Sequence, residues 1–154
     1  MSEPKQADQA RAAVRTAALG LLARREHSQQ EIKQKLIRRG FDEHLIGLVL
    51  VKLADQDLLS EQRFAEQFAA SRIRRKQGPM KILAELGRRG IDRHTANQVL
   101  GDVTADWPAM AAQVISGMGL DLDAEKREVQ QTIYRRLHNR GYRHDHIKQA
   151  LRLL

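Results

Sequence analysis

Small aliphatic residues recur at helical spacing along nearly the whole chain, and glycines with short polar runs interrupt them at regular intervals. The first stripe, Ala13, Val14, Ala17, Ala18, Leu21 and Leu22, predicts a helix over about residues 10–26. Ser28-Gln29-Gln30-Glu31 then forms a capping box, in which the hydroxyl accepts from an orphan N–H and the carboxylate reaches back. The helix it opens carries Ile32, Leu36 and Ile37 and runs to Arg38-Arg39-Gly40, where glycine can take the left-handed conformation that ends a helix. Asp42 is placed to cap a third helix with Leu45, Ile46, Val49, Leu50 and Leu53 inward.

The same order returns twice. Ser60 caps a predicted helix to about Lys76, with Phe64, Ala65, Phe68, Ala69 and Ile73 as its stripe and Glu61 in its first turn, where the dipole favours an acid. Gly78 breaks it, and Pro79 suits the first position of the next helix, where no N–H is needed. Ile82 and Leu86 face inward, Gly90 stops that helix, and Asp92 caps another with Ala96, Val99, Leu100 and Val103. The third round starts near Asp106, with Trp107, Met110, Ala111, Val114 and Ile115. A longer connection of about residues 117–123 leads to Val129, Ile133 and Leu137, Asn139-Arg140-Gly141 ends that helix, and Ile147, Ala150, Leu151 and Leu154 close the chain.

Gly40, Gly90 and Gly141 stand 50 and 51 residues apart. Ile32, Ile82 and Ile133 each precede one of them by eight residues, and Leu36, Leu86 and Leu137 by four. Phe41, Ile91 and Tyr142 follow directly, and Leu50, Leu100 and Leu151 stand ten residues beyond. Matching side chains at i, i+4 imply three similar small cores, each too slight to stand alone, so neighbouring units stack. The expected division is a disordered tail over 1–9 and three-helix repeats over 10–55, 56–104 and 105–154. The third repeat departs from the pattern, with Arg143 where Asp42 and Asp92 cap.

Composition narrows the function. Aromatics at 4% and charged residues at 30% suit an all-α protein with alanine-rich cores and disfavour a β-sandwich. Lysine and arginine number 27 against 19 acids, a formal charge of +8, which points to a polyanionic or acidic partner. Cysteine is absent, which excludes disulfides and thiolate chemistry and is compatible with a reducing cytosol. No apolar run approaches the roughly 18–20 residues of a membrane span, and MSEPKQADQ lacks the hydrophobic segment of a secretory leader. The expected location is cytoplasmic.

No catalytic constellation stands out. Ser28 and Ser60 read as caps rather than nucleophiles, paired carboxylates and phosphate-cradling glycine loops are missing, and no enzyme activity or cofactor is expected. His27, His44, His94, His138, His144 and His146 show no metal-ligand spacing. The binding candidates are basic: Arg38, Arg39, Arg72, Arg74, Arg75, Lys76, Arg88, Arg89, Arg135, Arg136, Arg140 and Arg143. Those before the glycines also complement helix C-termini, so they serve the dipole, a repeated cationic edge, or both. The run at 72–76 has no acid between Ser71 and Leu83, and Arg72, one turn after Phe68, sits close to the apolar stripe. A helix-turn-helix DNA reader is the alternative. The helix after Gly40, HLIGLVLVKL, is nearly apolar all round and unsuited to base edges, whereas Arg93, His94, Asn97 and Gln98 after Gly90 are less hostile to that role.

Leu58-Leu59, Arg63-Phe64-Ala65, Phe68, Ser71-Arg72, Gly78-Pro79, Ile82 and Glu85-Leu86 through Arg89-Gly90 resemble the RecX family, bacterial regulators of the RecA recombinase. Arg25, Ser28, Glu31 and Leu36 fit the family's first copy, and Arg140-Gly141-Tyr142 with Ile147 its last, so the resemblance spans about residues 13–154. It implies an elongated, curved array of three tandem three-helix repeats. It also implies a non-enzymatic partner of RecA, lying along the groove of the RecA–DNA filament and hindering its extension, ATP hydrolysis, strand exchange and coprotease action. Contact with DNA phosphate is the second partner expected.

Overall fold

The computed structural model describes residues 3–121 and 124–154, and every regular element among them is helical. The first triplet is α1 (Glu3–Arg24), α2 (Gln29–Arg38) and α3 (Glu43–Asp55); the second is α4 (Glu61–Arg74), α5 (Pro79–Arg88) and α6 (Arg93–Asp102); the third is α7 (Trp107–Ser116), α8 (Lys126–Asn139) and α9 (His144–Arg152).

The caps fall where the sequence places them. Ser28 Oγ accepts from Glu31 N–H and Glu31 returns the bond to Ser28 N–H, both at 3.1 Å. Asp42, Ser60, Asp92 and Asp106 each accept from the backbone N–H three residues on. Arginine has no acceptor to offer at 143; instead Arg143 N–H donates to His146 Nδ1 at 3.4 Å. Gly40, Gly90 and Gly141 end their helices at φ of 89°, 85° and 99°. Two expectations need correcting. The segment read as a disordered tail is helical from Glu3, an exposed extension of α1 rich in residues that tolerate a helix. The long connection of the third repeat ends at Lys126, its Asp123 lying outside the described residues.

Three clusters of buried residues follow the triplets. The first gathers Val14, Ala18, Leu21, Ile32, Leu36, Ile46, Val49, Leu50, Leu53 and Leu59. The second holds Phe64, Ala65, Ala69, Ile82, Leu86, Ile91, Ala96 and Val99, and the third Ala111, Ile115, Ile133, Leu137, Tyr142, Ile147 and Ala150. Trp107 packs against both the second and the third. The accessible surface is 9924 Å², about a quarter above the roughly 7,900 Å² of a compact chain of this mass. An elongated array accounts for the excess.

The units join differently at their two junctions. Between units 2 and 3, helix ends meet through backbone. Gly78 N–H donates to Arg140 O at 2.8 Å and Met80 N–H to Gly141 O at 2.9 Å, so the orphan donors of α5 are satisfied by the carbonyls ending α8. In return Tyr142 Oη–H donates to Lys76 O at 2.6 Å, and Arg140 donates to Lys76 O and Arg75 O. Only glycine permits this approach, since a Cβ at 78 would overlap the backbone of Gly141 and Tyr142.

Between units 1 and 2 the bridging groups are side chains. Gln30 Nε2 donates to Arg88 O at 2.9 Å and lies over Gly90; Glu61 Oε1 accepts from Gln29 N–H at 3.2 Å. Arg63 spans the two units, its Nε 2.9 Å from Glu26 Oε1 and its Nη2–H donating to Asp57 O at 2.7 Å.

A candidate partner interface at the junction of units 1 and 2

A cleft of about 500 Å³ opens at this side-chain junction, lined by Arg25, Glu26, Glu31, Phe64, Phe68, Arg72, Arg74, Arg75 and Arg89 among others. Phe68 is its centre. The guanidinium of Arg72 lies 4.6 Å from the ring centroid and that of Arg89 4.5 Å, two cation–π contacts on one aromatic. Helical spacing explains the first, since Arg72 follows Phe68 by one turn of α4. The second comes from the neighbouring helix end, where Arg89 Nη1 also donates to Glu85 O at 3.4 Å.

Acids brace these arginines. Arg72 Nε lies 3.1 Å from Glu85 Oε2 without pointing its N–H at it, an ion pair by distance in which neither atom gains a hydrogen bond. Arg25 pairs with Glu31 at 3.0 Å, and Arg89 reaches the same carboxylate at 4.0 Å. Burial pushes the Glu31 carboxyl up, but Arg25 and the Ser28 N–H outweigh it and hold it below its ordinary value. Glu31 is therefore charged as well as capping. Five arginines stand against two glutamates on the walls, so the cleft stays electropositive.

The predicted basic residues separate into two groups. Arg72, Arg89 and Arg140 are half-buried and engaged within the chain: the first two across Phe68, the third clasping unit 2 to unit 3. Arg143 is exposed but pairs with Asp145 at 3.2 Å. Arg38, Arg39, Arg74, Arg75, Lys76, Arg88, Arg135 and Arg136 are exposed and make no ion pair among the described residues. Of these, only Arg74 and Arg75 line the cleft. Sequence reasoning did not single out the Arg25–Glu31 and Arg63–Glu26 pairs, which join residues six and 37 apart. Glu85 is named only within the family resemblance, and its pairing with Arg72, 13 residues earlier, was not foreseen.

Comparison with known proteins decides the family. The model for "RecX, first three-helix domain" matches residues 15–53, and that for "RecX, second three-helix domain" matches residues 60–100, together more than half the chain. The chain belongs to the RecX family. The regulatory protein RecX of Halorhodospira halophila is 44% identical over 140 residues, covering 90% of this chain and 86% of that one. RecX of Chromohalobacter salexigens is 37% identical over 139 residues, 89% and 90% of the two chains. The crystal structure of RecX from Lactobacillus salivarius superimposes with a TM-score of 0.85 at 23% identity, covering 96% of this chain and 97% of that one, a likeness of fold. This RecX-family chain is thus a member of a regulatory family. Among its described residues no helix is long and apolar enough to cross a membrane, and no group of three metal-ligating side chains occurs.

Proposed function

We propose that this chain is a non-enzymatic negative modulator of RecA, binding the RecA–DNA filament along its groove. There it hinders filament extension, ATP hydrolysis, strand exchange and coprotease action. The observation that carries the reading is the braced electropositive cleft between units 1 and 2, with Arg74 and Arg75 exposed at its wall and making no ion pair among the described residues. The repeat adds Arg38 with Arg39, Arg88, and Arg135 with Arg136 on the other helices before the glycines. Several weak contacts on one molecule, facing a target that repeats, sum through effective concentration. The site of action is then the cytoplasm, where such filaments form, with DNA phosphate a secondary contact.

The test is binding to RecA filaments on single-stranded DNA, and to naked DNA, across a salt series. Filament binding should exceed DNA binding and weaken as salt rises. The double variant Arg74→Glu/Arg75→Glu should lose inhibition of RecA ATPase while keeping its helical signal. Arg72 is left out because its loss would strip Glu85 of its partner and confound folding with contact. Full inhibition by the folded double variant would remove the cleft from the mechanism.

A further inference from the structure

The three units share a plan, and one position breaks it at a cost the fold does not explain. Between α5 and α6 of unit 2 lies a groove of about 650 Å³ lined by Met80, Leu83, Ala84, Gly87, Ile91 and Ala96, with Arg93 and Asn97 at its rim. Counting from the repeated glycines, Gly87 corresponds to Ile37 in unit 1 and His138 in unit 3; Ala96 corresponds to Ile46 and Ile147. Unit 1 therefore carries branched aliphatic side chains at both places. Unit 3 covers the equivalent place with aromatic rings, Tyr134 stacked on His138 at 5.9 Å and tilted against His144 at 5.5 Å. Unit 2 alone has glycine at the first place and alanine at the second.

Nothing within the chain requires that glycine. Gly87 is inside α5, its φ is not positive, and a Cβ there would meet no atom within 4 Å. Glycine in a helix is up to about 1 kcal/mol worse than alanine, less in the last turn where Gly87 stands, so the position carries some helix penalty with no internal return. What it leaves is room, beside a Met80 that is 52% exposed. The Arg93 side chain at the rim makes no ion pair or hydrogen bond among the described residues, and Arg88 is exposed at the end of the same α5.

We propose that this groove receives one large apolar side chain carried on an acidic segment of a protein partner. The repeat itself gives the size of the anchor, since the space corresponds to the isoleucine of unit 1 or the stacked ring of unit 3. The exposed Arg93 and Arg88 supply the charge preference, and Met80 adapts to the shape of what enters. The assignment rests on the RecA reading, taking the segment as part of a filament subunit, and the two can fail separately.

Gly87→Ile restores the residue of unit 1 and plugs the groove; Ala84→Leu plugs it from the same helix; Gly87→Ala is the control that should only stiffen the helix. With RecA filaments as probe, both plugging variants should bind roughly ten- to a hundred-fold more weakly, the value of one buried anchor, and Gly87→Ala as wild type. Arg93→Glu should weaken binding in the same direction. Plugged variants binding filaments as wild type would overturn the groove and leave the RecA reading intact; a wild-type chain that ignores filaments would overturn both. Loss of naked-DNA binding on plugging would make the occupant nucleic acid, and a change in sedimentation of the chain alone would make it a second copy; either overturns the proposal.

Discussion

Replacing Gly78 by alanine tests the backbone clasp between units 2 and 3. The added Cβ would overlap the backbone of Gly141 and Tyr142, atoms that no side-chain rotation can move aside. The clasp must then open by enough to break Gly78 N–H to Arg140 O, Met80 N–H to Gly141 O, and the Tyr142 and Arg140 bonds to the end of α4. At roughly 0.5–1.5 kcal/mol for each net hydrogen bond, the loss of these five is about 5 kcal/mol. Gly87→Ala, where a Cβ meets nothing, should instead be neutral or stabilising. Gly40→Ala isolates the cost of the left-handed backbone, about 1–2 kcal/mol, because that glycine also has open space around it. Trp107 is the chain's one tryptophan and touches the cores of both units, so its fluorescence in urea reports their docking. Gly78→Ala should split the transition, with the third unit melting first, while Gly40→Ala lowers stability without altering the Trp107 phase. A single transition for Gly78→Ala within 0.5 kcal/mol of wild type would refute the clasp.

Buried His27 accepts from Lys35 Nζ at 2.9 Å and faces Arg25 O at 3.1 Å, an arrangement in which the ring is neutral with its proton on Nδ1. Burial, helped by the charges of Arg25 and Lys35 and opposed by the bond to Arg25 O and by Glu31, pushes its pKa below 6.5. The unfolded chain therefore binds the extra proton first, and stability should fall as pH drops below 6.5, by up to about 1.4 kcal/mol per pH unit. His27→Gln, the residue unit 2 carries at this place, should flatten that slope in urea titrations, and an unchanged slope would contradict the assignment. Burial pushes the Tyr142 phenol up to about 12, with Arg140 pulling the other way, so the clasp should be intact below pH 10 and weaken as pH rises from 10 towards 12. Ultraviolet titration of a Tyr134→Phe background reads Tyr142 alone; ionisation near 10 in the folded chain would rule out the buried bond to Lys76. Salt should separate the two junctions, because charged pairs hold units 1 and 2 and backbone bonds hold 2 and 3. Hydrogen exchange at 1 M salt should rise at Gln29 before Met80, and the opposite order would reverse that assignment.

The helices and their caps were legible because each rests on residues close in sequence: Ser28 with Glu31, Asp42 with Leu45, Asp92 with Thr95. The three cores were legible for the same reason, as stripes at i, i+4 repeated with the glycines. The basic residues were legible as a set but not by role. Arg72 and Arg140 look alike in the sequence as unpaired cations, yet one is held by Phe68 and Glu85 and the other by carbonyls 64 and 65 residues away. The Arg72–Phe68 contact follows from helical spacing, but the Arg72–Glu85 pair depends on how α4 packs on α5 and the Arg140 bonds on how units dock, which local spacing does not encode. The tail was misread because residues 3–9 have no apolar stripe to announce a helix, only propensity and continuity with the helix that follows.

The docking difference traces to one aligned position. At the start of each unit's second helix stands Ser28 in the first and Gly78 in the second. Serine caps its own helix, and with Glu31 it satisfies two of the donors from within, so the backbone of α2 takes no backbone carbonyl from unit 2 and long side chains, Glu61 and Gln30 among them, span the space between the units. Glycine offers no cap, so α5 takes its acceptors from Arg140 and Gly141, and the second and third units close onto each other through backbone. A junction spanned by side chains leaves room between them. The cleft therefore opens between units 1 and 2, and the helix end of α4 that carries Arg74 and Arg75 to its wall is the same end whose Arg75 and Lys76 carbonyls the third unit clamps. The clasp behind sets the position of the cationic wall in front.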